Sequence, residues 1–523
     1  MKKCFLSILS LITAGAAFAA AEAVIDASKT YQTIRSFGAA DAWSANFAAQ
    51  WEDCERNKIA DLLFSTETDK LGNPKGIGLT IWRVNLGAGT WEQGEKSQIK
   101  IAHKRAESFL SADGKSYDWN KCAGQQWLMR EAKKRGCDKF LLFVNSPVVS
   151  MTINGRGFGE KTGKSNLKPE CYDAFADYVA DVAKHFIGQN LNIAYISPIN
   201  EPQWLWDKPL QEGCSYLNSE AARLIRSLDR ALGERKLEGV KMIICESERI
   251  ANLYELEFAR KPKKSFNFPD DEIPGNQIRT FFDKNSPHYV GGLKYVAQAV
   301  NSHSYDSDKT AQELKKERAP LAAILDKYGI EFHSSEFITL PSIRKKSDVF
   351  EKNNPSELGE ALHLARVIHA DLTLTPAVTW QNWKAIEVYN CGGRGLINLF
   401  PKTEDITKGG YVLPSKLLWA MGNFSRFVRP GYKRVSMGGF EDVAQKTFGP
   451  AWISPDAGTL VVVCENISFE NAKVALKLPQ EFSNASVSAY ETSERMDLAK
   501  IPVADKNKID VAARSVTTFV FKK

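Results

Sequence analysis

Apolar and polar positions follow two rhythms along this chain, and the change falls near residue 431. Before it, short apolar runs recur at 34–39, 77–85, 140–145, 193–200, 241–245, 299–303, 329–335 and 377–383. Runs of that length, rich in β-branched residues and bounded by polar ones, suit strands buried on both faces of a parallel sheet. Between them apolar residues recur at helical spacing, as at 125–135, 169–187, 219–232, 311–328 and 355–371. Eight strands alternating with helices predict the α/β class and a (β/α)8 barrel. The fifth and sixth units are the least regular, because 253–287 is long, charged and rich in Pro.

After 431 the helical rhythm stops. Short alternating runs at 459–465, 472–478, 486–490 and 515–521 predict an all-β module, most simply a sandwich. The expected organisation is a barrel over 35–430 and a sandwich over 431–523, with the extended segment 23–34 adding a strand to the sandwich. The sequence leaves open whether that module binds polysaccharide or covers the barrel flank.

A chain of 523 residues exceeds one core of ordinary size, in keeping with two domains. Lys2 and Lys3, an apolar run from Phe5 to Phe18 and the small residues around Ala17 and Ala19 read as a secretory signal over 1–19. The run is short for a membrane span. Cys4 precedes it, poorly placed for a lipid anchor. We therefore expect a secreted or periplasmic protein with no membrane span. The other eight cysteines show no CxxC spacing, so a zinc site of the usual kind is not expected, and their pairing is not readable. The formal charge of +7 is too small and too dispersed to suggest nucleic acid.

Chemistry concentrates at two strand ends. The run 192–203, NIAYISPINEPQ, breaks off at Asn200-Glu201-Pro202, and GIEFHSSEF delivers Glu336 in the same manner. A carboxylate just past a buried strand adds nothing to folding, but the C-terminal rim of an α/β barrel is where catalytic groups stand. Glu201 follows the fourth strand and Glu336 the seventh, so the two face each other across one mouth. Glycoside hydrolysis needs such a pair, one protonating the departing oxygen and the other attacking the anomeric carbon or activating water. One rim Glu alone is as well read as a surface ion pair. Trp43, Trp82, Trp204, Trp206, Tyr305, Trp380 and Trp383 lie at or beyond strand ends, where flat rings suit sugar stacking. Core packing is the competing reading for Trp82, Trp380 and Trp383, since strand residues alternate in facing.

These pieces together resemble glycoside hydrolase family 30, in the clan of retaining (β/α)8 glycosidases. The resemblance is carried by SFGAADAW, WRVNLGAGT, FVNSPVVSMTING, ISPINEP, the SSEF run, TWQNW and FSRFVRPGY, in that order over nearly the whole chain. It implies that Glu201 is the acid/base, Glu336 the nucleophile, and Asn200 a partner of the sugar 2-hydroxyl. It implies too that Arg83 braces the nucleophile. Retention corresponds to carboxyls about 5–5.5 Å apart, against roughly 6.5–9.5 Å for inversion. The expected substrate-binding set is Asn200, Arg83, Asp41, Trp43, Asn145, Trp204, His303, Tyr305, Trp380 and Trp383. His303 and His333 are expected to orient ligand or carboxylates.

Two segments depart from many relatives. One is Asn145-Ser146-Pro147-Val148-Val149; the other is the loop 390–395, where Arg394 either holds an acidic sugar branch or is a solvated charge. The glycine-rich run at 159–165 has three residues between its glycines rather than the four of a phosphate loop, and His363 and His369 are six apart, not at metal-binding spacing. No metal and no cofactor are expected. The LGAGT and NSP…MTxNG segments are most similar to members cutting β-1,6-linked galactan endo-wise. The competing readings are a β-1,6-glucanase, a (glucurono)xylanase, an exo-acting β-glycosidase, a transglycosylase and a glycan-binding protein without turnover. We expect a monomer acting on polysaccharide or oligosaccharide.

Overall fold

A computed structural model describes residues 21–111, 113–342, 347–350, 356–389, 391 and 394–523. The expected signal segment lies outside them, as do Pro355 and part of the 390–395 loop. The first described element is β1 (Ala21–Thr33), which belongs to the C-terminal module. Eight strands then close into a parallel barrel in sequence order: β2 (Ser36–Ala40), β3 (Ile81–Leu86), β4 (Lys139–Val144), β5 (Ile193–Ser197), β6 (Lys241–Ser247), β7 (Val296–His303), β8 (Glu331–Glu336) and β9 (Ala377–Asn382). β9 pairs back with β2, so the sheet has no edge.

Two strands fall three residues short of their apolar runs. The run at 77–85 forms β3 only from Ile81, because Ile77 and Leu79 donate their N–H groups to Leu62 and Leu63 of the helix Asp53–Phe64. Gly78, with φ of 61°, makes the turn between them. The run at 193–200 leaves the sheet at Ser197, since Pro198 has no N–H for the ladder. Residues 198–201 are thereby released into the mouth. The irregular stretch 253–287 holds two short helices, Glu257–Lys263 and Gln277–Phe282, and 3-10 turns.

Three strands, Ile386–Val388, Ile397–Pro401 and Gly410–Pro414, form a small extra sheet after the barrel closes. The helix Lys416–Ser425 follows, and then the β-module: ten strands in one continuous curled sheet. β1 runs antiparallel to Lys433–Gly438 and parallel to Ala472–Lys477 in that sheet. The period-2 pattern of Thr459–Asn466 shows how the module is fixed. Leu460, Val462 and Cys464 join Ala23 and Ile25 in the module's own core, whereas Val461 and Val463 face the opposite way into the core of the barrel side. Asn423 of the preceding helix completes the joint, donating to Tyr490 O at 3.1 Å and Thr518 Oγ1 at 2.9 Å. Among the described residues no helix is long and apolar enough to cross a membrane.

Candidate active site

The C-terminal ends of the barrel strands surround a cavity of about 290 Å³ lined by Glu201, Glu336, Asn200, Trp43, Trp204, Tyr305 and Trp383, among others. Glu336 is the last residue of β8. Glu201 stands beyond β5 with φ of 45°, its N–H donating to Glu246 O at 2.9 Å. Trp206, Cys245 and Glu246 also take positive φ values. Such backbone strain in non-glycine residues, each costing about 1–3 kcal/mol, persists where surrounding structure holds it, and it clusters at functional sites.

Arg83 and His303 organise the carboxylates. From β3, the fully buried guanidinium of Arg83 donates to Glu336 Oε2 at 2.6 Å, Glu246 Oε1 at 2.9 Å and Asn200 Oδ1 at 3.2 Å. Its flat face lies 3.8 Å from the Phe143 ring centroid. His303, at the end of β7, places Nδ1 2.8 Å from Glu201 Oε1 and 3.4 Å from Glu336 Oε1, with Nε2 3.1 Å from Glu246 Oε1. Tyr305 donates its hydroxyl to Glu336 Oε1 at 3.1 Å.

Burial and charge set the protonation states. Burial disfavours the charged form of Glu201 and, with the nearby Glu336, raises its pKa despite the His303 contact. For His303 burial acts downward, but the charge of Glu336 and the bonds to Glu201 and Glu246 override it and lift the pKa to about 10. Glu246 is pulled the other way: burial would raise it, yet Arg83 and His303 hold it at about 2. It also accepts from Ser197 Oγ and Asn301 Nδ2. The mouth thus holds two buried cations, Arg83 and His303, against the anion Glu246 and the facing pair Glu201 and Glu336.

The structure brings together Glu201, Glu336, Asn200, Arg83, His303 and Tyr305, with Trp43, Trp204 and Trp383 on the cavity wall. Trp43 and Trp383 pack edge to face at 5.3 Å. Three of the expected residues sit elsewhere. Trp380 is fully buried and points out of the barrel, its indole N–H donating to Asp371 Oδ2 at 2.9 Å on the helix Glu357–Thr373. Asn145 is buried, with Nδ2 on Asn85 Oδ1 at 3.0 Å. Asp41 accepts from Asn85 N and Gln125 Nε2, both at 2.8 Å, and burial lifts its pKa to about 7. These bonds tie Asp41 and Asn145 to neighbouring strand and helix residues rather than to the cavity.

Two further expectations are corrected. His333 packs edge to face on Tyr195 at 5.5 Å and does not line the cavity, and burial lowers its pKa to about 4. Arg394 is not the solvated loop charge of one reading, because it pairs with the buried Glu360 at 3.3 Å.

Glu246 and Glu248 escaped the sequence reading. Both follow the apolar run 241–245, so the signal that picked out Glu201, a carboxylate just past a buried strand, was present there too. Glu248 lines the cavity, and burial with the neighbouring Glu201 raises its pKa to about 8. Lys384 lines it as well, lowered to about 7 by burial and by Lys104.

A rim carboxyl pair on a parallel barrel, one member with its pKa raised by burial and both beside aromatic walls, is the equipment of a glycoside hydrolase. The comparisons agree: the chain belongs to O-Glycosyl hydrolase family 30, whose profile matches residues 20–397. An endo-beta-1,6-galactanase of Hypocrea rufa is 28% identical over 249 residues, 44% of this chain. The matched part spans 50% of that relative. Among solved structures, a conserved exported protein from Bacteroides fragilis is 32% identical and superposes with a TM-score of 0.85 over 95% of this chain and 100% of that one. The catalytic domain of GH30 xylanase C from Talaromyces cellulolyticus, at 20% identity, shares the fold with a TM-score of 0.65 over 96% of this chain and 100% of that one.

Proposed function

We propose that this glycoside hydrolase is an exported, retaining endo-β-glycosidase acting on plant-type polysaccharide, with β-1,6-linked galactan as its substrate. Glu201 is the acid/base and Glu336 the nucleophile. The single observation that carries the mechanism is the closeness of the two carboxyls: an oxygen of each lies within 4.8 Å of the other and of His303 nitrogen. That spacing suits direct attack on the sugar better than the roughly 6.5–9.5 Å that leaves room for water between.

In the first step Glu201 protonates the glycosidic oxygen while Glu336 attacks the anomeric carbon, forming a glycosyl ester and releasing the leaving sugar. Arg83 and Tyr305, both on Glu336, hold its oxygens in line. Glu201, left as a carboxylate once it has given up that proton, stays ionised, because the ester carries no charge to repel it. It then takes a proton from incoming water, which attacks the anomeric carbon and frees Glu336. Asn200, its Oδ1 held by Arg83, is positioned at the cavity for the 2-hydroxyl.

The galactan reading is supported by the similarity to the Hypocrea rufa endo-beta-1,6-galactanase. Export is supported by the N-terminal sequence pattern and by the similar exported protein from Bacteroides fragilis. The test is reducing-sugar release and product sizing on β-1,6-galactan, β-1,6-glucan, glucuronoxylan and arabinoxylan, with Glu336→Ala alongside. Oligosaccharides from galactan alone, absent in the variant, are expected. Cleavage of another glycan reassigns the substrate, and binding without cleavage overturns the enzymatic reading.

A further inference from the structure

Beside the catalytic mouth, the 3-10 turn Ala102–Lys104 and the strand Ile386–Val388 with the residues just after it bring an imidazole, a carboxylate and a thiol together. Cys391 Sγ lies 3.6 Å from His103 Nε2, and Glu387 Oε1 lies 3.5 Å from the same nitrogen. Donor atoms of all three residues fall within 4.8 Å of one another. In a tetrahedral zinc site, with bonds of about 2.3 Å to sulfur and about 2.0–2.2 Å to nitrogen and oxygen, neighbouring ligand atoms stand roughly 3.3–3.6 Å apart. The two measured separations match such edges. We propose that His103, Glu387 and Cys391 are three ligands of a site for zinc or a similar divalent transition ion, with water as the fourth ligand.

The donor set selects the ion. Thiolate and imidazole favour zinc, cobalt or nickel over magnesium and calcium, which prefer oxygen alone. Glu387 is held from behind: its Oε1 accepts from Val388 N at 2.8 Å, and Lys384 pairs with its other oxygen. Ligating carboxylates are commonly fixed by such outer contacts. Cys391 is a free, partly exposed thiol, so an ion can reach it; binding deprotonates it and releases the proton to solvent. The catalytic trio differs. Glu201, His303 and Glu336 also converge, but both ring nitrogens of His303 are already engaged by carboxylates.

The site has a structural consequence for the cavity. His103 adjoins Lys104, and Glu387 follows Lys384 by one short turn; both lysines line the wall. An ion there clips together the two segments that carry them.

Cobalt titration of the full chain tests this, following the thiolate-to-cobalt charge-transfer absorption, with zinc added as competitor. The band is expected to saturate at one ion per chain and to be displaced by zinc. It is retained in Cys54→Ser, which alters an exposed cysteine elsewhere, and lost in Cys391→Ser. His103→Ala weakens binding at least about tenfold, as loss of ligand support does. No band in the wild type, or a band that survives Cys391→Ser, overturns the site. Alkylation of Cys391 in the folded wild type, located by peptide mass spectrometry, needs no variant. Zinc is expected to slow it, and an unchanged rate also counts against the site.

Discussion

His303 Nδ1 stands 2.8 Å from Glu201 Oε1 and 3.4 Å from Glu336 Oε1, so a single ring nitrogen reaches both carboxyls of the mouth. Its pKa in the fold, about 10, lies above the ordinary 6.5. The imidazolium therefore contributes stability that is fully present below about pH 6.5 and is lost as pH rises through about 10. Thermal midpoints measured across that window should fall in the wild type and fall less in His303→Asn. Parallel curves for the two proteins would show that the ring is not charged in the fold.

Glu246 is the anion that both Arg83 and His303 lean on. Removing one partner of a buried ion pair leaves the other uncompensated, at a cost of about 3–5 kcal/mol. Glu246→Ala is expected to lower unfolding free energy by that order in urea titration, with turnover falling as Arg83 and His303 lose their alignment. Since its folded pKa of about 2 lies below 4.5, this carboxylate's contribution is present above about pH 4.5 and lost as pH falls through about 2. A Glu246→Ala protein as stable as the wild type at neutral pH would contradict the arrangement.

Trp204 and Trp380 should separate cleanly. Trp204 is 44% exposed on the cavity wall, so Trp204→Ala is expected to raise KM while stability stays within about 0.5 kcal/mol of the wild type. Trp380 is wholly buried and holds Asp371, so Trp380→Phe should cost about 1–3 kcal/mol and leave KM unchanged. Steady-state kinetics paired with denaturation on both variants checks this, and the reversed pattern would place the sugar on the wrong tryptophan.

Asn200 offers a contact that matters in the transition state. Loss of one such group typically lowers kcat by about 10²–10³-fold. Asn200→Ala should show that loss in kcat on the cleaved glycan. An equal loss on a substrate analogue lacking the 2-hydroxyl would mean that Asn200 acts on something else.

The barrel was legible because buried parallel strands leave apolar runs whose ends mark the rim. Glu201 and Glu336 stand at two such ends, and the curled β-module showed itself by its change of period. What local pattern could not supply was direction. Trp380 and Trp383 are three residues apart on one strand end, yet one meets a helix and the other the cavity. Asp41 and Asn145 lie in matching motifs, but their polar atoms are consumed by Asn85 and Gln125, partners distant in sequence. Glu246 was readable by the rule that found Glu201, since it too comes directly after an apolar run, 241–245. The cluster of His103, Glu387 and Cys391 was not, because His103 lies 284 positions before Glu387, although Glu387 and Cys391 are only four apart.

The most direct test of the central claim is the anomeric configuration of the first product, followed by proton NMR immediately after adding enzyme to whichever glycan it cuts. With Glu201 and Glu336 acting by double displacement, the β-hemiacetal appears first and the α form grows only by mutarotation. An α-hemiacetal formed first would mean a single displacement by water, and the assignment of Glu336 as nucleophile would fail.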